Sequence, residues 1–248
     1  MIAEADLQGH WRREWIRAPG IEDTTTRVHW LQAGALYADI RVPLDRPDLA
    51  GAACLEDLPA VCLLALMRAE GFAGTIDVAG GVCTWTREIN WHGTPDTVDA
   101  GRMRFDTDCA LIEDGVHADY RELWRHVPGP PLTATRVVAG DLAGILVQCD
   151  TLFLVAMGDP AAQPTTQIRD ALAHGDRPEG LARHFATGYA LGHWDGATGI
   201  ADLSTNPFDE GIPVLEKTQA GLILLGHAFG GPRAAERLRL DAPALHLA

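Results

Sequence analysis

The 248-residue sequence has little positive charge. It has 20 basic residues against 34 acidic ones, a formal net charge of −14, and Lys217 is its only lysine. The arginines are scattered and form no basic run. Because an acidic protein repels phosphate backbones and anionic headgroups, we expect neither nucleic acid nor membrane as a partner. The composition leaves small-molecule or protein partners, and a homo-oligomer is compatible with it.

Several catalytic and cofactor motifs are also absent. Ser204 is the single serine and does not lie in a Gly-x-Ser-x-Gly turn, so a serine hydrolase is not expected. The glycine pairs match neither a P-loop nor a dinucleotide-binding fingerprint, and the ten histidines form no HExxH motif. We therefore expect no cofactor and no metal site.

Export and membrane signals are lacking as well. No apolar run approaches the roughly 20 residues that a spanning helix requires. The first six residues contain two acids and have neither the basic nor the apolar region of a signal peptide. The five cysteines show no CxxC spacing and are expected to be reduced. These features predict a cytoplasmic protein.

The pattern that is present is mainly that of β-strands. Short runs of alternating apolar residues, divided by Gly, Pro and Asp turns, fill the first 158 residues and predict a sandwich or barrel. One helix interrupts them, since Asp57 can cap it, Pro59 suits its first turn, and residues 61–69 are almost all apolar. Beyond Gly158 short helices and strands alternate, with a closing helix expected over 232–240.

Two short motifs recur later in the sequence in the same order, and we call this recurrence the echo. WRREW at 11–15 is followed by WTREI at 85–89, and ADIR at 38–41 by ADYR at 118–121, in the same order. This predicts a single unit, 1–248, built from repeated halves at about 7–80 and 82–158, with a mixed part at 159–248. Two fused small β-barrels are the alternative.

Strand periodicity sorts the echoed residues by face. Trp11, Arg13 and Trp15 share one face, and Trp85 and Arg87 share the corresponding one. An arginine beside an indole can stack on it and plug a barrel end, or it can serve as a clamp for a carboxylate ligand. Both interpretations stay open at the level of sequence. On the next echoed strand, Tyr37, Asp39 and Arg41 share a face.

Gly9-x-Trp11 at the start of the first strand, with an arginine on its face, resembles the opening motif of the lipocalin-like (calycin) family. This resemblance implies an antiparallel β-barrel whose apolar cavity holds a small hydrophobic ligand. The sequence departs from the family in its early helix and in having no disulfide pattern. Together with the echo, it predicts a mainly-β, lipocalin-like barrel built from an internal duplication, with a few helices.

The predicted function is binding of an apolar or carboxylated small molecule. An enzyme using the same cavity as an isomerase, cyclase or lyase on a small apolar acid is one alternative. A protein-interaction module without a cavity is another, and whether any catalysis occurs stays open. The predicted ligand-binding residues lie on the barrel strands and in the glycine-containing run 188–196; they are Arg13, Trp15, Tyr37, Arg87, His193 and Trp194.

Overall fold

The computed structural model describes residues 2–93 and 97–240, which form two closed antiparallel β-barrels of eight strands each. The first part of the chain contains β1 (Gly9–Ala18), β2 (Ile21–Asp23), β3 (Arg27–Ala33), β4 (Leu36–Val42), β5 (Glu70–Ala79), β6 (Val82–Asn90), β7 (Asp99–Phe105), β8 (Leu111–Gly115) and β9 (Arg121–Val127). All except the short β2 belong to the first barrel, which closes where β9 pairs with β1.

The second barrel follows directly. Its part of the chain contains β10 (Thr133–Ala139), β11 (Leu142–Gln148), β12 (Leu152–Gly158), β13 (Gly188–Asp195), β14 (Thr198–Ser204), β15 (Pro213–Thr218), β16 (Gly221–Leu224), β17 (His227–Ala228), β18 (Gly231–Pro232) and β19 (Glu236–Leu240). The strands β10 to β16 and β19 close the barrel, and β17 and β18 form a separate two-stranded pair. The helices are α1 (Ala60–Leu66), α2 (Thr166–Ala173) and α3 (Leu181–His184).

The predicted mainly-β fold of antiparallel barrels with few helices is confirmed, and eight strands per barrel make each calycin-like. The duplication lies at the level of whole barrels, and the predicted boundary near residue 81 falls in the turn between β5 and β6 of the first barrel. Residues 11–15 and 85–89 both lie in the first barrel, on β1 and β6. Asp39 lies in β4, whereas Asp119 lies in a bend between β8 and β9. Halves at 7–80 and 82–158 would therefore cut the first barrel.

The closing helix expected over 232–240 is instead strand β19, which completes the second barrel between β10 and β16. Residues 241–248, the end of the predicted C-terminal part, lie outside the described residues. None of the helices in 2–93 and 97–240 combines the length and apolar character needed to cross a lipid bilayer.

Three apolar cores hold the molecule together. One fills part of the first barrel, a second fills the interior of the second barrel, and the third lies between the barrels. The helix α1 starts one residue after Pro59 and buries Leu63 and Leu66 in the third core, while Val61 is 68% exposed. The outward faces of β4 and β12 contribute to that core through Ile40 and Leu154 among others.

His184, at the end of α3, is buried in the core between the barrels. Its ring lies edge-on to Trp91, with ring centroids 4.7 Å apart, and contacts Phe185 at 4.9 Å. Burial lowers the pKa of His184 to about 3, from an ordinary 6.5. The unfolded chain therefore binds a proton here below pH 6.5 that the folded protein does not bind, so acid destabilises the fold.

We expect the free energy of unfolding to fall between pH 7 and pH 5 by about 2 kcal/mol more in the wild type than in His184→Gln. Urea titrations at both pH values measure this difference. The exposed His117 supplies the control, because His117→Gln should keep the full acid sensitivity. A His184→Gln profile parallel to that of the wild type would show that His184 is not buried as a neutral ring.

Candidate functional site

A cavity of about 130 Å³ lies inside the first barrel. Its walls combine aromatic and charged side chains: Ile16, Trp30, Tyr37, Asp39, Arg41, Phe72, Trp85, Arg87, Asp99, Glu113, Tyr120, Glu122 and Trp124. The interior of the second barrel is instead packed with apolar residues around Phe153 and Leu215. The two barrels thus share an architecture and differ in what they enclose.

A larger cleft of about 450 Å³ lies between the barrels, beside Trp91 and His184. We assign the candidate site to the first barrel because buried ionisable groups converge there, which is a property of functional sites more than of structural cores.

Strand alternation places the polar side chains of this cavity. On β4, Tyr37, Asp39 and Arg41 occupy every second position and line the cavity, while the residues between them face the other core. On β9, Glu122 and Trp124 point inward in the same way. This part of the predicted facing, with Tyr37, Asp39 and Arg41 on one side, matches the structure.

Two arginines pair with Glu122, the buried Arg13 and the partly buried Arg41. The Arg13 guanidinium donates to Glu122 Oε1 at 2.7 Å and to Asp23 Oδ2 at 3.1 Å. Arg41 donates to the same Glu122 oxygen at 3.4 Å and to Asp39 Oδ1 at 2.9 Å. Burial raises the pKa of Asp39, and the adjacent Arg41 opposes that rise.

Arg87, the other arginine on the cavity wall, is also paired. Arg87 donates to Asp99 Oδ2 from Nε at 3.0 Å. Its guanidinium lies 3.5 Å from the ring centroid of Phe72, and that of Arg41 lies 4.9 Å from the same ring. Two guanidinium groups therefore lie over the Phe72 ring, so the cavity already contains cation–π contacts.

Glu113 and Glu122 lie directly opposite each other on the paired strands β8 and β9. Glu113 accepts hydrogen bonds from Tyr120 Oη at 2.7 Å and from Trp124 Nε1 at 3.0 Å. Burial, and secondarily the charge of Glu122, raise the pKa of Glu113 to about 8. Gly101 leaves the space for this carboxyl, since a Cβ there would lie 2.6 Å from Glu113 Cγ.

Two buried polar atoms of the cavity wall have no hydrogen-bond partner among the described residues. They are Tyr37 Oη and Glu122 Oε2, and both residues are 1% exposed. Burial raises the pKa of Tyr37, so its hydroxyl keeps its proton and can donate. The cavity therefore offers one free donor and one free carboxylate oxygen to a guest molecule.

The structure brings together three of the predicted site residues and separates the rest. Arg13, Tyr37 and Arg87 lie in the first barrel, around the cavity. A β-bulge between Arg13 and Trp15 shifts the alternation, so Trp15 pairs with the outward Leu123 and Ile16 takes the inward position. The prediction that Trp15 shares the face of Trp11 and Arg13 is therefore wrong. Its ring lies 4.3 Å from the Arg17 guanidinium instead.

His193 and Trp194 lie on β13 of the second barrel, away from the cavity. The imidazole of His193 is exposed and hydrogen-bonds Asp202 at 2.9 Å through Nδ1. Trp194 packs inside that barrel against Phe153, and the Lys217 ammonium lies 3.7 Å from the centroid of its ring. The structure does not place these two residues in the candidate site.

Sequence reasoning missed the acidic residues of the cavity. Asp99, Glu113 and Glu122 lie on the consecutive strands β7, β8 and β9, and the closure of β9 onto β1 brings Glu122 to Arg13. The local signal was the shared face of Tyr120, Glu122 and Trp124, where an acid stands between two aromatic residues at strand spacing.

No protein family model matches the chain, and no curated protein matches it. Among solved structures, the crystal structure of the uncharacterised protein YLR301w from Saccharomyces cerevisiae is similar, with a TM-score of 0.50. The two sequences are 10% identical, and the similarity covers 94% of this chain and 98% of the yeast chain. At this level of identity the comparison supports the fold alone.

Proposed function

We propose that the first barrel binds a small polar molecule with a flat apolar part, non-covalently, inside its cavity. The observation that carries this proposal is the pair of unpartnered atoms, Tyr37 Oη and Glu122 Oε2, on the wall of one cavity. Buried polar groups in folded proteins nearly always have hydrogen-bond partners. A guest with matching polar groups would satisfy both.

The aromatic walls support a flat guest. Trp30 makes edge contacts with Trp85 and Trp124 at centroid distances of 5.9 and 5.8 Å, so the cavity is bounded by rigid rings. At about 130 Å³ it is smaller than the roughly 300–1,000 Å³ of drug-sized sites, so the enclosed part of the guest has few heavy atoms. The resemblance to lipocalin-like proteins also favours a barrel interior as the binding site.

The charged groups argue against the carboxylated ligand expected from the sequence. Arg13 and Arg87, the arginines of the predicted clamp, each have carboxylate partners within the protein. A ligand carboxylate would have to displace those partners and would enter next to Glu122. We keep cytoplasmic location, and the lack of nucleic acid or membrane partners, as predictions supported by the net charge of −14 and the composition.

The proposal predicts which tryptophans respond to a bound molecule. In ¹⁵N-labelled protein, phenol or methylguanidinium should produce saturable shifts in the indole signals of Trp30, Trp85 and Trp124. Trp194 in the second barrel is the internal reference and should not move. Ile16→Phe, which fills the cavity, should abolish the shifts, whereas the outward Leu123→Phe should not. Shifts that are absent, or equal at Trp194, would overturn the proposal.

A proton-transfer enzyme is the second candidate function. The observation that favours it is the carboxyl of Glu113, whose pKa of about 8 lies near neutral pH in a cavity shared with Glu122. Such a group can give and take a proton without an external base. A binding protein returns its guest unchanged, so chemical conversion of a bound molecule is the property that separates the two functions.

A further inference from the structure

We infer that the ligand of the first barrel carries a cationic nitrogen group with N–H donors, and that it displaces a proton from the Glu113–Glu122 pair. This inference rests on the proposed function and specifies the chemistry of its guest. Guanidinium, amidinium and primary ammonium groups belong to this class.

The first argument is the charge of the cavity wall. Four carboxyl groups line it against two arginines, a formal excess of two negative charges: Asp39, Asp99, Glu113 and Glu122 against Arg41 and Arg87. Adding the Arg13–Asp23 pair behind the wall leaves this excess unchanged. Buried charge is costly unless it is compensated, and a cationic guest supplies compensation that a neutral or anionic guest does not.

The second argument is the geometry of the pair. Residues directly opposite in an antiparallel ladder have Cβ atoms about 4.5–5.5 Å apart, and Glu113 and Glu122 are such a pair on the inner face. Two buried carboxylates on directly opposed side chains repel each other, so one proton is retained while no cation is bound. Burial first, and the charge of Glu122 second, raise the pKa of Glu113 to about 8, which agrees with one retained proton.

The surroundings of Glu113 do not supply the missing cation. Tyr120 and Trp124 donate hydrogen bonds to it from neutral groups. Arg41 lowers the pKa of Glu113 and Asp99 raises it, both at longer range. The strongest charge facing Glu113 is that of Glu122, whose Oε1 is occupied by Arg13 and Arg41 and whose Oε2 is free.

The free oxygen also selects among cations. A quaternary ammonium has no N–H and would leave Glu122 Oε2 without a partner, although it could rest on the aromatic walls. A guanidinium or amidinium group can both donate to a carboxylate and stack on an aromatic ring, and the Arg87 guanidinium already lies over the Phe72 ring, 3.5 Å from its centroid. Among the described residues, no group of three or more His, Cys, Asp or Glu side chains is arranged to hold a metal ion.

The exchange is balanced. The cation enters, the O–H bond of the protonated glutamate breaks, and the proton passes to solvent while its electron pair stays on the carboxylate. No oxidant, reductant or second substrate takes part.

Calorimetric titration with methylguanidinium in two buffers of different ionisation enthalpy tests the inference on the wild-type protein. At pH 7 close to one proton should be released per bound cation. Because methylguanidinium stays charged, its dissociation constant should fall about tenfold between pH 7 and pH 9, as expected when one proton with a pKa near 8 competes with it. Tetramethylammonium and acetate should bind at least tenfold more weakly.

Two isosteric variants locate the effect. Glu113→Gln should still bind methylguanidinium but release no proton and lose the pH dependence, whereas Glu122→Gln should weaken binding at least tenfold. Glu216→Gln, on the exposed face of the second barrel, is the matched control and should behave as the wild type. A thermal melt of each variant verifies that it is folded.

The results separate the inference from the proposed function. Methylguanidinium binding without proton release, or acetate, phenol or tetramethylammonium binding as tightly, would overturn the inference while the first-barrel indole shifts still support a binding site. If no probe shifts those indoles, the proposed function fails as well. The proton count is measured on unaltered protein, so the inference stays testable even if Glu122→Gln does not fold.

Discussion

Replacing Trp11 with alanine is expected to lower the free energy of unfolding by about 3–5 kcal/mol. The indole is buried in the core of the first barrel. Its ring centroid lies 5.0 Å from that of His126 and 6.3 Å from that of Trp30. Its Nε1 donates to the carbonyl of Leu7 at 2.8 Å, which ties the short helical turn Glu4–Leu7 across the barrel end. The substitution therefore removes both a large packed ring and an end closure.

Trp15, four residues along the same strand, is the matched control. It lies beyond the β-bulge on the outer face, where its ring contacts the Arg17 guanidinium. Trp15→Ala should cost about 1 kcal/mol or less. Trp85 is half-buried at the cavity, so Trp85→Ala should lower the free energy of unfolding by an intermediate amount. Urea unfolding followed by far-UV circular dichroism measures all three, and equal losses at Trp11 and Trp15 would contradict their assignment to opposite faces.

Local alternation predicted much of the fold because most strands have one face in a core. On β4 the alternation of Ala38 and Ile40 with Asp39 and Arg41 is uninterrupted, and the predicted facing holds. On β1 the bulge adds a residue, so the facing fails from Trp15 onward. A bulge depends on the pairing strand, which the local sequence does not specify.

The end of the chain shows the same limit. The sequence ERLRL at 236–240 consists of residues that are good helix formers, and its alternation of charged and apolar residues also fits a strand. In the structure Leu238 is buried and β19 fills the place between β10 and β16. Completing the hydrogen-bonded barrel outweighs the helical preference of these side chains.

The candidate site could be predicted only in part, for a related reason. Arg13, Tyr37 and Arg87 were identified because each stands in a recognisable strand pattern. The partner of Arg13 comes from a distant strand: Arg13 and Glu122 are 109 residues apart and meet only because β9 closes onto β1. The echo between residues 11–15 and 85–89 suggested equivalent surroundings, but the arginines found different carboxylates, Glu122 and Asp99.

Removing the charge of Arg13 tests whether this residue stabilises the fold or binds a ligand. Arg13 is 8% exposed and is the nearest cation to Glu122, which keeps only Arg41 at 3.4 Å once Arg13 is lost. Breaking a buried pair on one side leaves an uncompensated charge, so Arg13→Met should cost about 3–5 kcal/mol. Arg12→Met, on the exposed side of the same strand, should stay within about 0.5 kcal/mol of the wild type.

The reciprocal substitution makes this prediction specific. Glu122→Gln removes the charge that Arg13→Met leaves behind, so the double variant Arg13→Met/Glu122→Gln should be more stable than Arg13→Met alone. Urea titrations of the four proteins in this cycle give the coupling between the two side chains. If Arg13→Met unfolds like the wild type and the cycle shows no coupling, the arginine does not hold Glu122, and its role would lie in contacts with a ligand.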